Sequence, residues 1–367
     1  MKNRQLSSRR LRIAMVGPFP TVGHAPIGGV ETATWSLCEE LKGRDDIDLY
    51  IVGISTADVA KDSPTNLIQL KQGRGFSGWL RTFHRDVPRA LRQIAPDVVH
   101  IQGVPSLAAR TRHSVLTVHG ALAADIWHTR VGPSRYLGAL AAYLLEGLPL
   151  LFARHRITLS PGSRGTFIPN AISPLFAPSG ERDEFRLVTC GELSPLKNTL
   201  GVIEAFARVR SRFPHATLTV IGDGDIRYVR HLRERVHDLE LDGAVDLVGR
   251  LDPDKVASTF STARCLVHFS NRENAPMVLV EALASGCDVI ATNVGNSRRI
   301  LAEDANSYVV PPGDRDALAD AMLHVLSVDY RPVDRTALVA PYSRTAVADQ
   351  TVRLYREVAV RRAQQLP

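Results

Sequence analysis

The alternation of short apolar runs with helix-like segments is the feature that most constrains the fold of this 367-residue chain. The apolar runs are 11–17, 47–53, 97–103, 114–120 and 156–160 in a first series, and 185–191, 216–222, 245–249, 265–270 and 288–292 in a second. Helix-like patterns lie near 29–42, 78–94, 134–153, 198–213, 226–239, 253–262, 276–285 and 314–327. β-Branched runs that alternate with helices are typical of parallel sheets covered on both faces. The pattern therefore predicts an α/β chain of two doubly wound, Rossmann-like domains.

The boundaries of these domains follow from composition. Residues 168–184 are rich in Pro and Ser and lack periodicity, which predicts a linker between a first domain, 1–167, and a second, 185–342. A final helix, 343–367, is expected to pack back on the first domain. Because ligands of doubly wound sheets bind at the carboxyl ends of the strands, we expect the site in a cleft where two such sheets face each other.

Charge, cysteines and hydropathy limit the cellular context. The net charge of +7 indicates anionic partners without selecting one. The four cysteines contain no CxxC pair, which favours buried free thiols and a reducing cytoplasm. The apolar run that follows the basic N-terminus is too short for a signal peptide, and 136–152 is too short to span a bilayer. We therefore expect a cytoplasmic protein.

The segment SNRENAPMVLVEALASG, residues 270–286, is the strongest candidate for binding chemistry. It predicts a loop followed by an apolar, buried helix with Pro276 in its first position, whose free N–H groups would attract phosphate. Glu281 lies about one turn inside this helix, and Glu273 lies on the preceding loop. A buried carboxylate needs strong hydrogen-bond donors, so Glu281 is either bonded to neighbouring backbone or aimed at ligand hydroxyls such as a ribose diol.

The spacing of Glu, seven residues and Glu in this segment closely resembles the signature of the retaining GT-B glycosyltransferases of family 4, the glycosyl transferases group 1. Other stretches resemble that family in the same order along the chain. They are the glycine-rich loop and helix at 17–41, PDVVHIQG at 96–103, LTVHG at 116–120, IPNAI at 168–172, GELSPLKN at 191–198 and LTVIGDGD at 218–225.

The resemblance implies a nucleotide-sugar donor, UDP- or GDP-linked, that is bound mainly by the second domain. Glu281 would take the ribose hydroxyls and Glu273 the hydroxyls of the donor sugar. The backbone of Asn274, Ala275, Pro276 and Met277 would face sugar and phosphate, and Lys197 would neutralise the departing diphosphate.

In the first domain, the resemblance implies that Gly28 and Gly29 let a loop close over the phosphate and that His119 contacts the donor sugar; a plain glycine turn and a structural histidine are the alternatives. The family chemistry is transfer with retention by front-face attack, in which the enzyme supplies positioning and charge stabilisation. No cofactor or metal is expected. Asp225, in the sequence DGD, is better interpreted as a helix N-cap than as a metal ligand.

Two departures from the family pattern affect the donor site. Glu192 stands where the family commonly has Arg, and two like charges about 5 Å apart cost roughly 3 kcal/mol at an effective dielectric near 20. Glu192 should therefore turn away from the diphosphate, or a cation such as Arg272 or Arg299 should compensate. The segment between Ser160 and Ile168 is also shorter than is usual, which indicates either a compact first domain or reduced activity.

The acceptor is expected to be a glycan or a lipid-linked hydroxyl. Residues 78–94 carry an apolar stripe with arginines beside it, which suits either packing on the protein's own sheet or peripheral contact with an anionic membrane at its inner face. Bacterial surface-polysaccharide biosynthesis is the leading context. A natural-product glycosyltransferase and a catalytically decayed binding protein remain alternatives. A dinucleotide oxidoreductase lacks the required GxGxxG, and no nucleic-acid-binding motif is present.

Overall fold

The computed structural model describes residues 9–19, 29–55, 66–71, 78, 81–103, 113–119, 153–162 and 164–365. The chain divides into two compact units. The first comprises Met1–Ala171 together with Arg344–Pro367, and the second comprises Ile172–Ser343. The division falls within the segment 168–184.

The described elements alternate as α/β folds require. The strands are β1 (Leu11–Pro18), β2 (Ile47–Ser55), β3 (Leu67–Lys71), β4 (Val98–Gln102), β5 (Ser114–Val118), β6 (His155–Thr158), β7 (Thr166–Phe167), β8 (Asp183–Cys190), β9 (Thr217–Ile221), β10 (Val245–Gly249), β11 (Ala263–His268), β12 (Asp288–Thr292) and β13 (Tyr308–Val310). The helices are α1 (Gly29–Lys42), α2 (Val87–Ile94), α3 (Thr199–Arg212), α4 (Ile226–Asp238), α5 (Pro253–Thr262), α6 (Met277–Ala284), α7 (Ser297–Ile300), α8 (Arg315–Ser327), α9 (Thr336–Val339) and α10 (Arg344–Gln365). A short π-helix, Thr82–Asp86, precedes α2, and a short 3₁₀-helix, Ala340–Tyr342, follows α9.

Each unit is built on one parallel sheet. The first sheet has the order β3-β2-β1-β4-β5-β6-β7, and the second has the order β10-β9-β8-β11-β12-β13. In both, the order reverses beside the first strand of the unit, which is the switch point where doubly wound sheets bind ligands. The two-domain, Rossmann-like α/β architecture predicted from the strand–helix alternation is confirmed.

The core of the first unit lies on both faces of its sheet. Along β1, Ile13 and Met15 pack in a cluster with Tyr355 of α10, whereas Ala14 and Val16 pack in a second cluster on the opposite face. This division follows the twofold alternation of side chains along a strand. The C-terminal helix α10 thus completes one face of the first unit.

The second unit repeats the arrangement. Its larger cluster contains Leu187 and Val267, together with residues from α3, α4 and α8, and its other cluster contains Val188 and Leu266, with residues from α5 and α6. The segment predicted as a linker is partly integrated here, because Ile172 is buried in the second cluster and the Phe176 ring lies 6.1 Å from that of Phe260.

Several elements differ from the sequence-based expectation. Strands β3, β7 and β13 and the short helices α7 and α9 were not predicted. The predicted helix near 134–153 lies outside the described residues except for Ala153. Across the described ranges, no helix combines the length and the apolar character needed to cross a membrane.

The cysteines are free thiols. Cys38, Cys265 and Cys287 are buried and Cys190 is half-buried. Burial raises the pKa of the Cys38 thiol to about 12, and apolar surroundings do the same for Cys287. Such thiols are unreactive at neutral pH, which is typical of cysteines that serve packing.

Candidate active site

Two loops at the carboxyl end of the second sheet are bonded to each other. The loop 191–198 follows β8 and the loop 269–276 follows β11, and these strands are neighbours in the sheet. The backbone N–H of Asn271 donates to the carbonyl of Leu196 at 2.8 Å, and its side-chain amide donates to the carbonyl of Pro195 at 3.0 Å. The Ser270 hydroxyl also donates to the Leu196 carbonyl at 3.2 Å. These bonds fix the loop 191–198 against the loop 269–276, here called the motif loop.

Glycines allow a third loop to approach the first. A Cβ on Gly222 would lie 1.8 Å from the Gly191 carbonyl oxygen, and one on Gly224 would lie 2.0 Å from the Leu193 carbonyl oxygen. The N–H of Leu193 donates to the carbonyl of Asp223 at 2.9 Å across this contact. Only glycine permits backbones to approach so closely. The sequence GDGD therefore serves packing between neighbouring loops.

Glu273 lies at the centre of a polar cluster. Its Oε1 atom pairs with the ammonium of Lys197 and lies 3.0 Å from Nε2 of His268, the last residue of β11. The Glu273 side chain is only 11% exposed. Burial opposes its ionisation, but the His268 hydrogen bond and the Lys197 charge outweigh burial and lower the pKa of Glu273 to about 2. Glu273 is therefore ionised at neutral pH.

His268 was missed in the sequence interpretation. It sits in an apolar run, CLVHFS, where a histidine carries no distinguishing pattern. Its position at a strand end, five residues before Glu273, is the signal that could have identified it.

Gly295 supports the backbone of the motif loop. It has a positive φ of +56°, and a Cβ there would lie 2.5 Å from the Asn274 carbonyl oxygen and 2.7 Å from that of Glu273. The N–H of Asn296 donates to the same Asn274 carbonyl at 3.2 Å. The loop after β12 thus holds Glu273 in place, a role that its sequence, NVGNSR, did not reveal.

Helix α6 presents an uncapped N-terminus. It begins at Met277, so Pro276 is the N-cap residue and not, as predicted, the first helical residue. Pro276 has no side chain that can cap this end, and the N–H of Leu279 turns back to the Pro276 carbonyl at 3.2 Å. The N–H groups of Met277 and Val278 have no acceptor within the helix, because the first turn of any helix lacks them. They can bind an anion together with the positive end of the helix dipole.

Glu281 has a different environment from Glu273. It is half-buried in α6 between Val280 and Ala282, and no side chain in the described ranges forms a hydrogen bond with its carboxylate. Burial raises the pKa of Glu281 to about 7. The pKa of the Cys190 thiol is raised to about 12, mainly by burial and next by the charge of Glu281. The charge of Lys197 acts in the opposite direction and lowers this pKa. Both charges therefore act on one thiol at the end of β8.

The remaining predicted residues of the donor site lie in the loop 191–198 and in the motif loop. Glu192 is exposed, and its position relative to a diphosphate stays a prediction. Arg272, Asn274 and Ala275 are half-buried in the motif loop. The Arg272 N–H donates to the Ser270 hydroxyl at 3.4 Å.

The candidate residues of the first unit are less completely placed. Gly28 lies outside the described residues, and Gly29 is the exposed first residue of α1, where an added Cβ would meet nothing within 4 Å. His119 follows β5 and is half-buried, with its Nε2 atom 2.6 Å from Oε1 of Gln102 at the end of β4. Burial lowers the pKa of His119 to about 4, so the ring is neutral at pH 7.

Asp225 caps α4, as predicted. Its carboxylate accepts from the N–H groups of Arg227 at 2.9 Å and Tyr228 at 3.4 Å. Among the described side chains, no group of three or more His, Cys, Asp or Glu residues is arranged to hold a metal ion.

Models of known protein families match both units of the chain. The model of Glycosyltransferase Family 4 matches residues 27–172, and the model of Glycosyl transferases group 1 matches residues 174–335. The match to residues 174–335 covers nearly all of the second unit, and the match to residues 27–172 covers the first unit without β1 and α10.

Individual proteins show the same relationship. The phosphatidyl-myo-inositol mannosyltransferase of Mycolicibacterium smegmatis is 30% identical over 171 residues, which are 45% of this chain and 43% of the relative. The chain thus spans less than half the length of this curated relative. Sucrose-phosphate synthase of Thermosynechococcus elongatus has a TM-score of 0.76 at 21% identity, covering 95% of this chain and 99% of that one. HepE of Anabaena, in complex with UDP and glucose, has a TM-score of 0.60 at 18% identity, covering 97% and 100%.

Proposed function

The chain belongs to the GT-B glycosyltransferases of family 4 and group 1, and we propose that it transfers a sugar from a nucleotide-sugar donor to an acceptor hydroxyl with retention of anomeric configuration. The observation that carries the proposal is the cluster of Lys197, Glu273 and His268 beside the uncapped N-terminus of α6. A cation, a carboxylate and an anion-binding helix end are the groups that a diphosphate attached to a polyol requires.

Lys197 is the residue that would stabilise the leaving group. In the structure its ammonium pairs with Glu273 and is only partly exposed. A diphosphate at the N-terminus of α6 would compete with Glu273 for this ammonium, and the carboxylate would then be released to accept hydrogen bonds from the donor sugar. Charge stabilisation of this kind needs no enzymic nucleophile, and the leaving phosphate would take the proton of the acceptor.

Glu281 is the residue proposed for the ribose. Its carboxylate, on the helix whose end would bind the phosphates, has no hydrogen-bond partner among the described side chains, and a diol donates two hydrogen bonds to one carboxylate. UDP- and GDP-sugars are both candidate donors, and the complex of HepE with UDP and glucose supports the first. Arg272, Asn274, Ala275 and Met277 complete the proposed donor site, and Glu192, which is exposed, would lie at its margin. No cofactor or metal is proposed.

The proposed acceptor is a glycan or a lipid-linked hydroxyl, with bacterial surface-polysaccharide biosynthesis as the context. The name of the Mycolicibacterium relative, which includes a phospholipid, supports a lipid-linked acceptor. In 78–94, Phe83, Val87, Ala90 and Ile94 are buried in the first unit, so the apolar stripe packs on the protein's own core.

The arginines of the same segment face outward. Arg81, Arg85, Arg89 and Arg92 are exposed, which leaves a basic face for the proposed peripheral contact with an anionic membrane. Pelleting with phosphatidylserine vesicles tests this contact. Substitution of all four arginines by Gln should abolish pelleting at low salt, and pelleting that does not depend on anionic lipid would contradict it.

A donor screen tests the central proposal. UDP- and GDP-sugars are incubated with the full chain, and slow donor hydrolysis and nucleotide binding are measured by NMR and calorimetry. Lys197→Ala should lower hydrolysis about 100-fold, because preorganised charge stabilisation is worth that much, whereas Lys255→Ala, at an exposed site in α5, should not.

Once a donor is known, the product's H1–H2 coupling constant reports the anomeric configuration. An inverted product would contradict retention, and failure to bind any nucleotide would favour the decayed binding protein. Transfer to small natural-product acceptors, without transfer to glycans or lipids, would favour the natural-product alternative.

A further inference from the structure

We propose that Gln102 is a positioning residue that holds the His119 ring in the tautomer protonated at Nε2, and that Tyr355 of the C-terminal helix anchors this arrangement through His100. All four residues belong to the first unit. The tautomer follows from the orientation of the Gln102 amide in the structure, whereas its effect on turnover rests on the proposed function, in which His119 is the candidate catalytic residue of this unit.

The direction of the hydrogen bonds fixes the tautomer of His119. Its Nε2 atom lies 2.6 Å from the side-chain oxygen of Gln102. An amide oxygen can only accept, so the ring must donate from Nε2. Because the ring is neutral at pH 7, Nδ1 carries the lone pair. Gln102 thereby selects one of the two neutral forms of the residue.

The amide nitrogen of Gln102 extends the chain of bonds to His100. This nitrogen can only donate, and it lies 3.4 Å from Nε2 of His100. The Thr117 hydroxyl lies 2.6 Å from the same ring nitrogen and can donate as well. His100 must therefore be unprotonated at Nε2 and protonated at Nδ1, from which it donates to the Tyr355 hydroxyl at 2.5 Å.

Burial of these side chains favours a hydrogen-bond arrangement in which every donor meets an acceptor. His100 and Tyr355 are fully buried, and Gln102 is 3% exposed. Burial lowers the pKa of His100 to about 3, so a charged ring that donates from both nitrogens is not accessible at neutral pH. In a low-dielectric interior an unmatched donor or acceptor costs ~1–3 kcal/mol, so each bond constrains the next.

One alternative arrangement satisfies the same atoms. If the Gln102 amide turned by 180°, it would donate to His119 Nε2 and accept from His100 Nε2. Tyr355 would then donate to His100 Nδ1. Both histidines would hold the opposite tautomer, so the two arrangements differ in an observable property of His119.

Long-range ¹H–¹⁵N correlation of the ¹⁵N-histidine-labelled full chain at pH 7 measures that property, with His119 assigned from a His119→Asn spectrum. We expect His119 to be protonated at Nε2 in the wild type and in Gln102→Glu, whose carboxylate can only accept. In Gln102→Leu we expect a mixture of tautomers. Ser36→Ala, at a buried hydroxyl in α1 without a partner among the described residues, is the control for a small change in the same unit.

Tyr355→Phe tests the anchor. It removes one oxygen from a buried ring, so the fold is retained and His100 loses the acceptor for its Nδ1–H. We expect the tautomer populations of both His100 and His119 to change in this variant. A His119 ring protonated at Nδ1 in the wild type, or an unchanged tautomer in both Gln102→Leu and Tyr355→Phe, would overturn the proposal.

Kinetics test the functional consequence. With the donor found by screening, Gln102→Leu should lower kcat by at least about tenfold, because misplaced reacting groups lose that much. Its nucleotide affinity should be unchanged, and Gln102→Glu should restore most of the rate. A tautomer change without loss of kcat would refute the role of Gln102 in turnover and the role given to His119, while the donor chemistry of the second unit would stand.

Discussion

Replacement of Glu281 by Gln should stabilise the second unit at alkaline pH while weakening nucleotide binding. The wild-type carboxylate is half-buried on an apolar helix and lacks a hydrogen-bond partner among the described side chains. Burial raises its pKa from 4.5 to about 7. Glutamine keeps the shape of the side chain and removes the charge that burial disfavours.

The pH window follows from the sign of this shift. The folded state holds the Glu281 proton up to about pH 7, whereas the unfolded chain releases it near pH 4.5. Unfolding is therefore favoured progressively as pH rises through this window, and stability is lost. A pKa shift of this size corresponds to about 3–4 kcal/mol at ~1.4 kcal/mol per pKa unit. We expect about 2 kcal/mol because the side chain is partly exposed.

Urea unfolding followed by far-UV circular dichroism measures the effect. The advantage of Glu281→Gln over the wild type should be small at pH 5 and should grow by about 2 kcal/mol at pH 8. Tryptophan fluorescence on the same samples reports the first unit, because Trp35, Trp79 and Trp127 all belong to it. Glu303→Gln, at an exposed site in the second unit, is the matched control and should show no pH-dependent advantage.

Calorimetry links the same group to binding. If a ribose diol donates to Glu281, the carboxylate must be ionised in the complex. At pH 6.5, nucleotide binding should then release roughly 0.7 proton from the wild type and none from Glu281→Gln, as measured in buffers of different ionisation enthalpy. A stability advantage that is equal at pH 5 and pH 8 would refute the assigned cause. Equal proton release by both proteins would refute the proposed ribose contact.

Three further predictions concern the other contacts. His268→Leu removes one of the two partners of Glu273 and should cost the second unit about 1–2 kcal/mol in urea unfolding at pH 7, and no cost would contradict the hydrogen bond. Gly295→Ala should abolish nucleotide binding in calorimetry, because its Cβ would meet the motif-loop backbone at 2.5 Å, whereas Gly313→Ala, with a similar positive φ and no atom within 4 Å, should bind normally. Between pH 6.5 and pH 4 the first unit should lose stability in fluorescence-monitored unfolding, because the unfolded chain takes up protons at His100 and His119 that the folded state excludes. A flat profile would refute that burial.

Strand periodicity was sufficient to predict the two sheets, because the long buried strands are continuous β-branched runs. The edge strands β3 and β13 were missed, since each is short and only partly buried. The topology also predicted which segments meet at the carboxyl edge of the second sheet. The start of α6 was misplaced by one residue because Pro is compatible with both the N-cap and the first helical position.

Side-chain partners across long sequence separations were not predictable. Lys197 was expected to neutralise the diphosphate of a donor, yet in the structure its ammonium pairs with Glu273, 76 residues away. The link from Gln102 to His119 depends on the register of β4 on β5, in which Gln102 lies opposite Thr117. Strand ends predict that such residues are neighbours, but rotamers and loop contacts decide which atoms bond.

The two glutamates of the segment 270–286 show which environments the sequence predicts and which it does not. Glu281 is flanked along α6 by Val280 and Ala282, so the sequence predicts its burial. The structure adds that no described side chain bonds to the carboxylate, and burial without a partner raises its pKa. The low pKa of Glu273 comes from His268 and Lys197, which other parts of the sheet bring to it. The same residue type therefore has opposite proton affinities within one short segment. On the proposed function, Glu273 would be an anion that exchanges its cation when a diphosphate binds. Glu281 would release its proton to solvent near neutral pH and then accept hydrogen bonds from the hydroxyls of a ligand.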